Sequence, residues 1–211
     1  MSASRTEALP AEVEALLGEG PVAFDADGTL WEGDVGDELV RDLGRFDEYE
    51  RRVADDPIAG YTWAVELLAG QVVEELEGRC RRLFARQRVF DFVRPLFRRL
   101  SDVYIVSASP TWAVYPGAEA LGVDRARVIA VDADVQGGRV GPVRTPIPCG
   151  PGKVHHLKAR GLEPALAFGN GELDEPMLAY ARRAVVVAPT NGPVNALVAA
   201  AKRNGWPILR A

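Results

Sequence analysis

Short apolar runs alternate with segments of helical periodicity along most of the chain. Five runs predict buried strands, at residues 22–24, 103–106, 128–131, 165–168 and 184–187. Apolar residues with helical spacing follow most of these runs, at residues 110–121, 154–160, 175–182 and 193–203. Strands that alternate with helices predict an α/β fold in which helices cover both faces of a parallel sheet.

Two segments break this alternation. From about residue 34 to residue 100 the apolar residues have helical spacing only, which predicts a helical insert between the first and second core strands. We therefore assign residues 1–33 and 98–211 to the α/β core and residues 34–97 to a helical cap domain. Further along, apolar alternation on both sides of Gly137 and Gly138 predicts a small β-hairpin.

Composition and charge argue against several classes of protein. The formal net charge of −5 over 211 residues gives no electrostatic basis for binding nucleic acid. Cys80 and Cys149 form neither a disulfide framework nor a metal motif. The first twenty residues pattern as an acidic amphipathic helix rather than a secretory signal, and no later run is long enough to cross a bilayer. We expect a cytoplasmic protein without a nucleic-acid or membrane partner.

Polar residues follow three of the predicted strands. Asp25 and Asp27 come directly after the first run, and side chains at positions i and i+2 of an extended segment point the same way. Two acids on one side repel each other unless a cation or a proton lies between them. Ser107 and Asn170 follow two other runs, and ligands of parallel sheets bind at the carboxyl ends of the strands.

Each of these residues also has a purely structural interpretation. Asp25 to Gly28 fits an ordinary polar turn, and Ser109 before Pro110 fits a helix N-cap. Lys153 lies at the start of a predicted helix, where a cation is unfavourable unless an anion offsets it. The segment from Asn170 to Asp174 fits a helix-capping loop as well as a source of oxygen ligands for Mg2+.

Taken together, the four motifs resemble a known family. Asp-x-Asp-Gly-Thr at 25–29, a serine at 107, a lysine at 153 and Gly-Asn-x-x-x-Asp at 169–174 resemble the haloacid dehalogenase superfamily of phosphohydrolases, over residues 22 to about 189. The helical insert after Trp31, and the sequence VSASPTW followed by the Gly-Gly hairpin, resemble the phosphoserine phosphatase-like branch. The resemblance implies a Rossmann-like parallel sheet, in agreement with the strand pattern.

The resemblance also implies roles in catalysis. It makes Asp25 the nucleophile that forms an aspartyl-phosphate, and Asp27 the general acid and base. It places Mg2+ between the Asp25 carboxylate, the Asp27 backbone carbonyl and the Asn170 side chain. Because the family more often has an acid at the position of Asn170, this metal site has one negative charge fewer and is expected to bind Mg2+ less tightly.

Further residues are implied to bind the phosphate or the rest of the substrate. Lys153, Ser107 and Thr29, with backbone N–H groups at Gly28 and Ala108, would neutralise the phosphoryl oxygens. Asp174 would orient Lys153 or a metal-bound water. Asp34 occupies about the position at which phosphoserine phosphatases have a glutamate that recognises the substrate amine, but no cap arginine aligns with their carboxylate-binding residue.

The implied function is a Mg2+-dependent phosphatase that hydrolyses a small phosphorylated metabolite. Asp27 favours phosphate esters over organic halides, because only an ester has a leaving alcohol to protonate. Two alternatives stay open: a phosphotransferase that uses the same intermediate, and a catalytically weak phosphate-binding regulatory protein, for which the neutral Asn170 is the argument.

Overall fold

The structure is a computed structural model that describes residues 9–190 and 196–211. Within these residues, six parallel strands form one sheet: β1 (Val22–Phe24), β2 (Val103–Pro110), β3 (Val128–Val131), β6 (Leu166–Gly169), β7 (Ala184–Ala188) and β8 (Ile208–Arg210). Two antiparallel strands, β4 (Ala133–Gln136) and β5 (Arg139–Val143), form the hairpin predicted around Gly137. The α/β fold, the parallel sheet and the hairpin are thus confirmed.

Ten α-helices complete the described part of the chain. They are α1 (Ala11–Glu14), α2 (Val35–Asp42), α3 (Phe46–Asp55), α4 (Pro57–Glu66), α5 (Val73–Phe84), α6 (Val93–Phe97), α7 (Thr111–Ala120), α8 (Pro151–Ala159), α9 (Glu175–Tyr180) and α10 (Ala196–Asn204). The four predicted core helices correspond to α7 to α10, with ends shifted by a few residues. The first three residues of the last prediction, 193–195, lie outside the described residues.

The order of strands in the sheet is β3-β2-β1-β6-β7-β8. The central strand β1 pairs with β2 on one side, where Phe24 is opposite Ile105, and with β6 on the other, where Phe24 is opposite Phe168. The carboxyl ends of these three strands therefore lie side by side. The residues that follow them share one edge of the sheet.

Alternate residues of the strands supply two separate hydrophobic cores. Val22 and Phe24 belong to one cluster, together with buried residues of α5, α6 and α7. Ala23 belongs to the other cluster, with residues of α8, α9 and α10. Because successive side chains of a strand point to opposite faces, this division means that helices cover both faces of the sheet, as predicted.

Residues 34–100 contain helices α2 to α6 and no strand beyond isolated bridges. Residues of α2, α3 and α4 form a small hydrophobic cluster of their own, which includes Val40, Tyr49 and Ala64. Leu76, Leu83 and other residues of α5 instead join the large cluster on the sheet. The helical insert is therefore anchored on the sheet through α5, while the boundaries assigned to a cap domain stay a prediction.

Two features of the core differ from the expectations. Strand β2 continues to Pro110 instead of ending at Val106, with a shift in its pairing to β3 between these two residues. Strand β8 was not predicted, because three residues after Pro207 are too few to show an alternating pattern. It pairs with β7, with Ile208 opposite Val186, and closes that side of the sheet.

Gly117 on α7 provides a test of the packing around Trp31. A Cβ atom at position 117 would lie 2.5 Å from the Trp31 ring and 2.8 Å from the Phe84 ring. We expect Gly117→Ala to lower the free energy of unfolding by about 1–3 kcal/mol, because the fully buried indole has no room to retreat. Urea unfolding followed by circular dichroism measures this change.

Gly78→Ala on α5 is the matched control. Its added Cβ meets only the end of the Arg82 side chain, at 3.7 Å. Alanine is the better helix former, so this variant should be unchanged or up to ~1 kcal/mol more stable. Equal unfolding free energies for the two variants would contradict the close packing of Trp31 on α7.

Candidate active site

A cavity of about 210 Å3 lies at the carboxyl ends of β1, β2 and β6. Most of the residues singled out in the sequence line it: Asp25, Asp27, Asp34, Ser107, Ala108, Lys153, Asn170 and Asp174. Tyr61, Ser109, Gly171, Glu172 and Leu173 complete the lining. The fold thus brings together residues that are up to 149 positions apart in the sequence, from Asp25 to Asp174.

Lys153 is the electrostatic centre of this site. Its ammonium group donates to Asp25 Oδ1 at 2.7 Å, to Asp174 Oδ1 at 2.6 Å and to the backbone carbonyl of Val106 at 2.7 Å. The side chain is only 2% exposed, and all three of its protons are used. Burial opposes its charged form, but the two carboxylates outweigh this effect and raise the pKa of Lys153.

Asp25 lies directly after β1 and accepts hydrogen bonds on both carboxylate oxygens. Oδ1 accepts from Lys153, and Oδ2 accepts from the Thr29 hydroxyl at 2.9 Å. Burial and the nearby charge of Asp174 raise the pKa of Asp25 to about 7, although Lys153 acts to lower it. A further cation at this carboxylate would favour its ionised form.

Asp174 holds the loop after β6 in place. Its Oδ2 accepts from the backbone N–H groups of Asn170 and Gly171, both at 3.0 Å, while Oδ1 accepts from Lys153. Gly169 is needed for this approach, because a Cβ there would lie 2.6 Å from the Asp174 Cβ. Asp174 therefore contacts Lys153 and the Asn170 backbone together, while its expected role in catalysis stays a prediction.

Asp27 is held by three donors that the sequence did not reveal. Its Oδ1 accepts from the Trp31 indole N–H and from the Val35 backbone N–H, both at 2.8 Å. Its Oδ2 accepts from the Ser109 hydroxyl at 2.7 Å. Burial raises the pKa of Asp27, and these hydrogen bonds oppose that shift without reversing it.

The expectation that Ser109 caps a helix is wrong. It lies within β2, and α7 begins at Thr111 after Pro110, without a capping side chain. The spacing of Ser107 and Ser109, two positions apart, indicates a shared side only if the strand continues past Val106, as it does in the structure. Ser107 in turn accepts from the Ser109 backbone N–H at 3.0 Å.

Gly28 and Thr29 lie beside the site residues but do not line the cavity. Gly28 has a φ of +70°, and its N–H donates to the Trp31 carbonyl, while the Thr29 N–H donates to Ala26. A side chain at position 28 would also meet the Asn170 amide nitrogen at 2.1 Å. The two N–H groups thus serve the turn, and their part in binding phosphate stays a prediction.

The oxygen atoms around Thr29 fit a hard divalent cation. The Thr29 hydroxyl lies 2.9 Å from Asp25 Oδ2 and 3.2 Å from Asn170 Oδ1, so these two oxygens face the same small region. Among the described residues, no group of three or more His, Cys, Asp or Glu side chains could hold a metal alone. A cation here would need amide, carbonyl and water oxygens as well, which is the ligand set that suits Mg2+.

Asp34 lies on the insert side of the cavity and caps α2. Its Oδ1 accepts from the Asp37 backbone N–H at 2.8 Å. Burial, together with the charges of Asp27 and Asp37, raises the pKa of Asp34 well above its usual range. Asp34 also lines the cavity, so its carboxylate can meet a ligand there.

Another cavity, of about 360 Å3, lies at the opposite end of the sheet, where β2 begins. Its lining includes Val103 and the surface residues Arg94, Arg98 and Arg127, and none of the predicted site residues. Arg127 is already paired with Asp102, and Arg94 donates to the Ala120 carbonyl. This larger cavity therefore contains none of the residues predicted for catalysis.

A family model described as haloacid dehalogenase-like hydrolase matches residues 22–179. No curated protein matches the chain. In the described ranges, 9–190 and 196–211, no helix has both the length and the apolar character that a membrane span requires.

Several solved structures share the fold. A protein of unknown function from Bordetella pertussis Tohama I has a TM-score of 0.72 and 22% identity, over 89% of this chain and 96% of its own. A phosphoserine phosphatase solved as a phospho-aspartyl intermediate analogue has a TM-score of 0.62 and 20% identity, over 91% and 93%. A substrate-bound phosphoserine phosphatase has a TM-score of 0.59 and 20% identity, over 81% and 87%.

The identities to these structures are low, so they demonstrate a common fold. The family match covers most of the chain and includes every residue of the cavity lining. The chain therefore belongs to the haloacid dehalogenase-like hydrolases.

Proposed function

We propose that this protein is a Mg2+-dependent phosphatase that hydrolyses a small phosphomonoester through an aspartyl-phosphate on Asp25. The observation that carries the proposal is the position of Asp25 in the cavity, paired with buried Lys153 and two residues before the firmly oriented Asp27. A nucleophile, an acid and a fixed cation around one small polar cavity are the groups that phosphoryl transfer requires. The fold shared with phosphoserine phosphatases supports this reaction class.

In the first step, an oxygen of the Asp25 carboxylate attacks the phosphorus atom of the ester. The bond between phosphorus and the ester oxygen breaks, and its electron pair leaves with the alcohol oxygen. Asp27 gives its proton to that oxygen, so that a neutral alcohol departs. This step forms the aspartyl-phosphate on Asp25 and converts Asp27 to its carboxylate form.

In the second step, the Asp27 carboxylate takes a proton from a water molecule. The water oxygen attacks phosphorus and releases the Asp25 carboxylate together with inorganic phosphate. Asp27 is protonated again at the end of the cycle. One residue thus serves as acid and then as base, which its position two residues after the nucleophile allows.

The charge of the phosphoryl group needs several partners. The Ser107 hydroxyl and the Ala108 N–H are the groups that we assign to direct contact with the phosphoryl oxygens, while Lys153 and Thr29 act through their hydrogen bonds to Asp25 and Gly28 supports the turn. The Asp25 carboxylate, the Asp27 carbonyl and Asn170 Oδ1 would hold Mg2+, which supplies positive charge against the negative charge of the transferring group when bound. Asp174 keeps Lys153 in place.

A catalytically weak phosphate-binding protein is the second candidate, and the neutral Asn170 is the observation in its favour. A binding protein would retain phosphate without turning over an ester. Release of phosphate from p-nitrophenyl phosphate, abolished by EDTA and restored by Mg2+, separates the two. Transfer of the phosphoryl group to an added alcohol would identify a phosphotransferase instead.

Asp25→Asn should abolish turnover and leave the fold intact. An amide is not a nucleophile, while Lys153 keeps Asp174 and the Val106 carbonyl as partners. Phosphate release and thermal unfolding measure the two properties in the same preparation. Asp55→Asn, at an exposed position on α3, is the matched control and should retain full activity. Activity in Asp25→Asn would exclude covalent catalysis by this residue.

Asn170→Asp should lower the Mg2+ concentration for half-maximal activity, on the order of tenfold, because it adds a charged oxygen to the metal site. The rise in unfolding temperature with Mg2+ gives a second readout that does not depend on turnover. Asn204→Asp, on the exposed end of α10, is the control and should change neither value. An unaltered metal titration in Asn170→Asp would count against Asn170 as a ligand.

We further assign Asp34 to recognition of a cationic group on the substrate. Asp34 lines the cavity, and Lys153, the cation of the lining, is already paired. Asp34→Asn should lower kcat/KM for 2-aminoethyl phosphate on the order of tenfold, since it removes a charge-assisted hydrogen bond. Propyl phosphate, which lacks the amine, is the control substrate. An equal loss on both esters would assign Asp34 to the fold alone.

A further inference from the structure

The carboxylate of Asp27 is held asymmetrically. Oδ1 accepts two hydrogen bonds, from Trp31 and from Val35, whereas Oδ2 accepts one, from Ser109. Each carboxylate oxygen has two lone-pair positions. Oδ1 is therefore fully occupied, and Oδ2 has one position left for a proton or for a substrate oxygen.

The free position of Oδ2 lies toward the cavity. Asp27 and Ser109 both line the cavity, while the two residues that bond to Oδ1 do not. The Trp31 side chain is fully buried and donates from within the core. The geometry therefore makes Oδ2 the oxygen that exchanges a proton with the substrate, and it makes Ser109 the direct partner of that oxygen.

Ser109 is itself firmly placed. Its backbone N–H donates to the Ser107 hydroxyl oxygen at 3.0 Å, and the residue is 5% exposed. On its other side, α2 approaches closely at Gly36, where an added Cβ would lie 2.8 Å from Ser109 Oγ. A glycine at this point leaves the hydroxyl just enough room to face Asp27.

We propose that Ser109 is a positioning residue for proton transfer by Asp27, an inference that rests on the proposed phosphatase reaction. When Asp27 passes its proton from Oδ2 to the leaving oxygen, the carboxylate gains negative charge. The hydrogen bond from Ser109 then becomes charge-assisted and stronger, while the proton of Ser109 stays on its own oxygen. A donor that gains strength in the transition state accelerates the step.

The nature of the leaving group tests this role. p-Nitrophenolate leaves without protonation at neutral pH, whereas an alkoxide needs the proton from Asp27. The value of kcat/KM reports the steps up to departure of the leaving group, so it excludes the later hydrolysis of the intermediate. Ser109→Ala should lower kcat/KM on the order of tenfold for the alkyl phosphate that the wild type hydrolyses best in a panel of alkyl esters.

For p-nitrophenyl phosphate the same variant should lose less than about threefold in kcat/KM, because its leaving group needs little acid assistance. Ser101→Ala is the matched control, since Ser101 is exposed at the opposite end of β2 and should leave both values unchanged. The unfolding temperature of Ser109→Ala should fall by only a few degrees. Equal losses on both esters would overturn the assignment of Ser109.

Gly36→Ala provides a second approach that removes no group from the site. Its new methyl group would lie 2.8 Å from Ser109 Oγ, closer than to Asp34 Oδ1 at 3.1 Å or to Pro110 at 3.2 Å, and alanine favours α2, so this variant should fold. We expect the same selective loss on alkyl esters, and no loss in Gly78→Ala, the control on α5. A Gly36→Ala enzyme with unchanged selectivity would argue against the role of Ser109.

The activities of the wild type distinguish a failure of the proposed phosphatase function from a failure of the role proposed for Ser109. A wild type that hydrolyses no ester at all would overturn the proposed function and this inference together. A wild type that hydrolyses only the aryl ester would overturn the inference alone, because no leaving group would then require the proton. A wild type active on both, with a Ser109→Ala variant impaired mainly on the alkyl ester, supports it.

Discussion

The buried ammonium group of Lys153 is the constraint on which the site depends. A charged group taken out of water is strongly unfavourable unless every one of its protons has a partner. Lys153 meets this requirement only when the first turn of α8, the end of β1, the backbone of β2 and the segment before α9 converge. The same three contacts that make the burial tolerable also fix Asp25 beside the cavity.

The strand order explains why these elements meet. From the central strand β1, the chain builds β2 and β3 on one side and then crosses back to build β6, β7 and β8 on the other. The chain segments that follow β1 and β6 therefore run to opposite sides of the sheet. Where they diverge, a crevice opens at the carboxyl ends of the strands. The cavity occupies that crevice, and Asp25 is one of its lining residues.

Much of this arrangement could be predicted from the sequence. The apolar runs located five of the six parallel strands. The placement of Lys153 at a helix start was interpreted as a sign of a negative ligand, which stays a prediction, whereas in the fold its charge is offset by Asp25 and Asp174. The residues around Asp27 were harder to predict, because a backbone N–H from Val35 and an indole N–H from Trp31 leave no polar pattern in the sequence.

The contact of Ser109 with Asp27 could not be predicted from the sequence for a different reason. A serine before a proline fits a helix cap, and only the continuation of β2 to Pro110 turns its hydroxyl toward Asp27. Local patterns favoured the cap because the competing partner lies 82 residues earlier in the chain. Strand β8 was missed for a related reason, since three residues acquire a strand conformation through pairing with β7 and not through their own pattern.

The hydrogen bond from Val35 to Asp27 has a mechanical consequence. Val35 is the first residue of α2, so one of the three contacts that orient the acid comes from the helical insert and not from the sheet. Because the insert supplies this contact, the orientation of the Asp27 carboxylate depends on where α2 lies relative to the sheet, as well as on β2 and on Trp31.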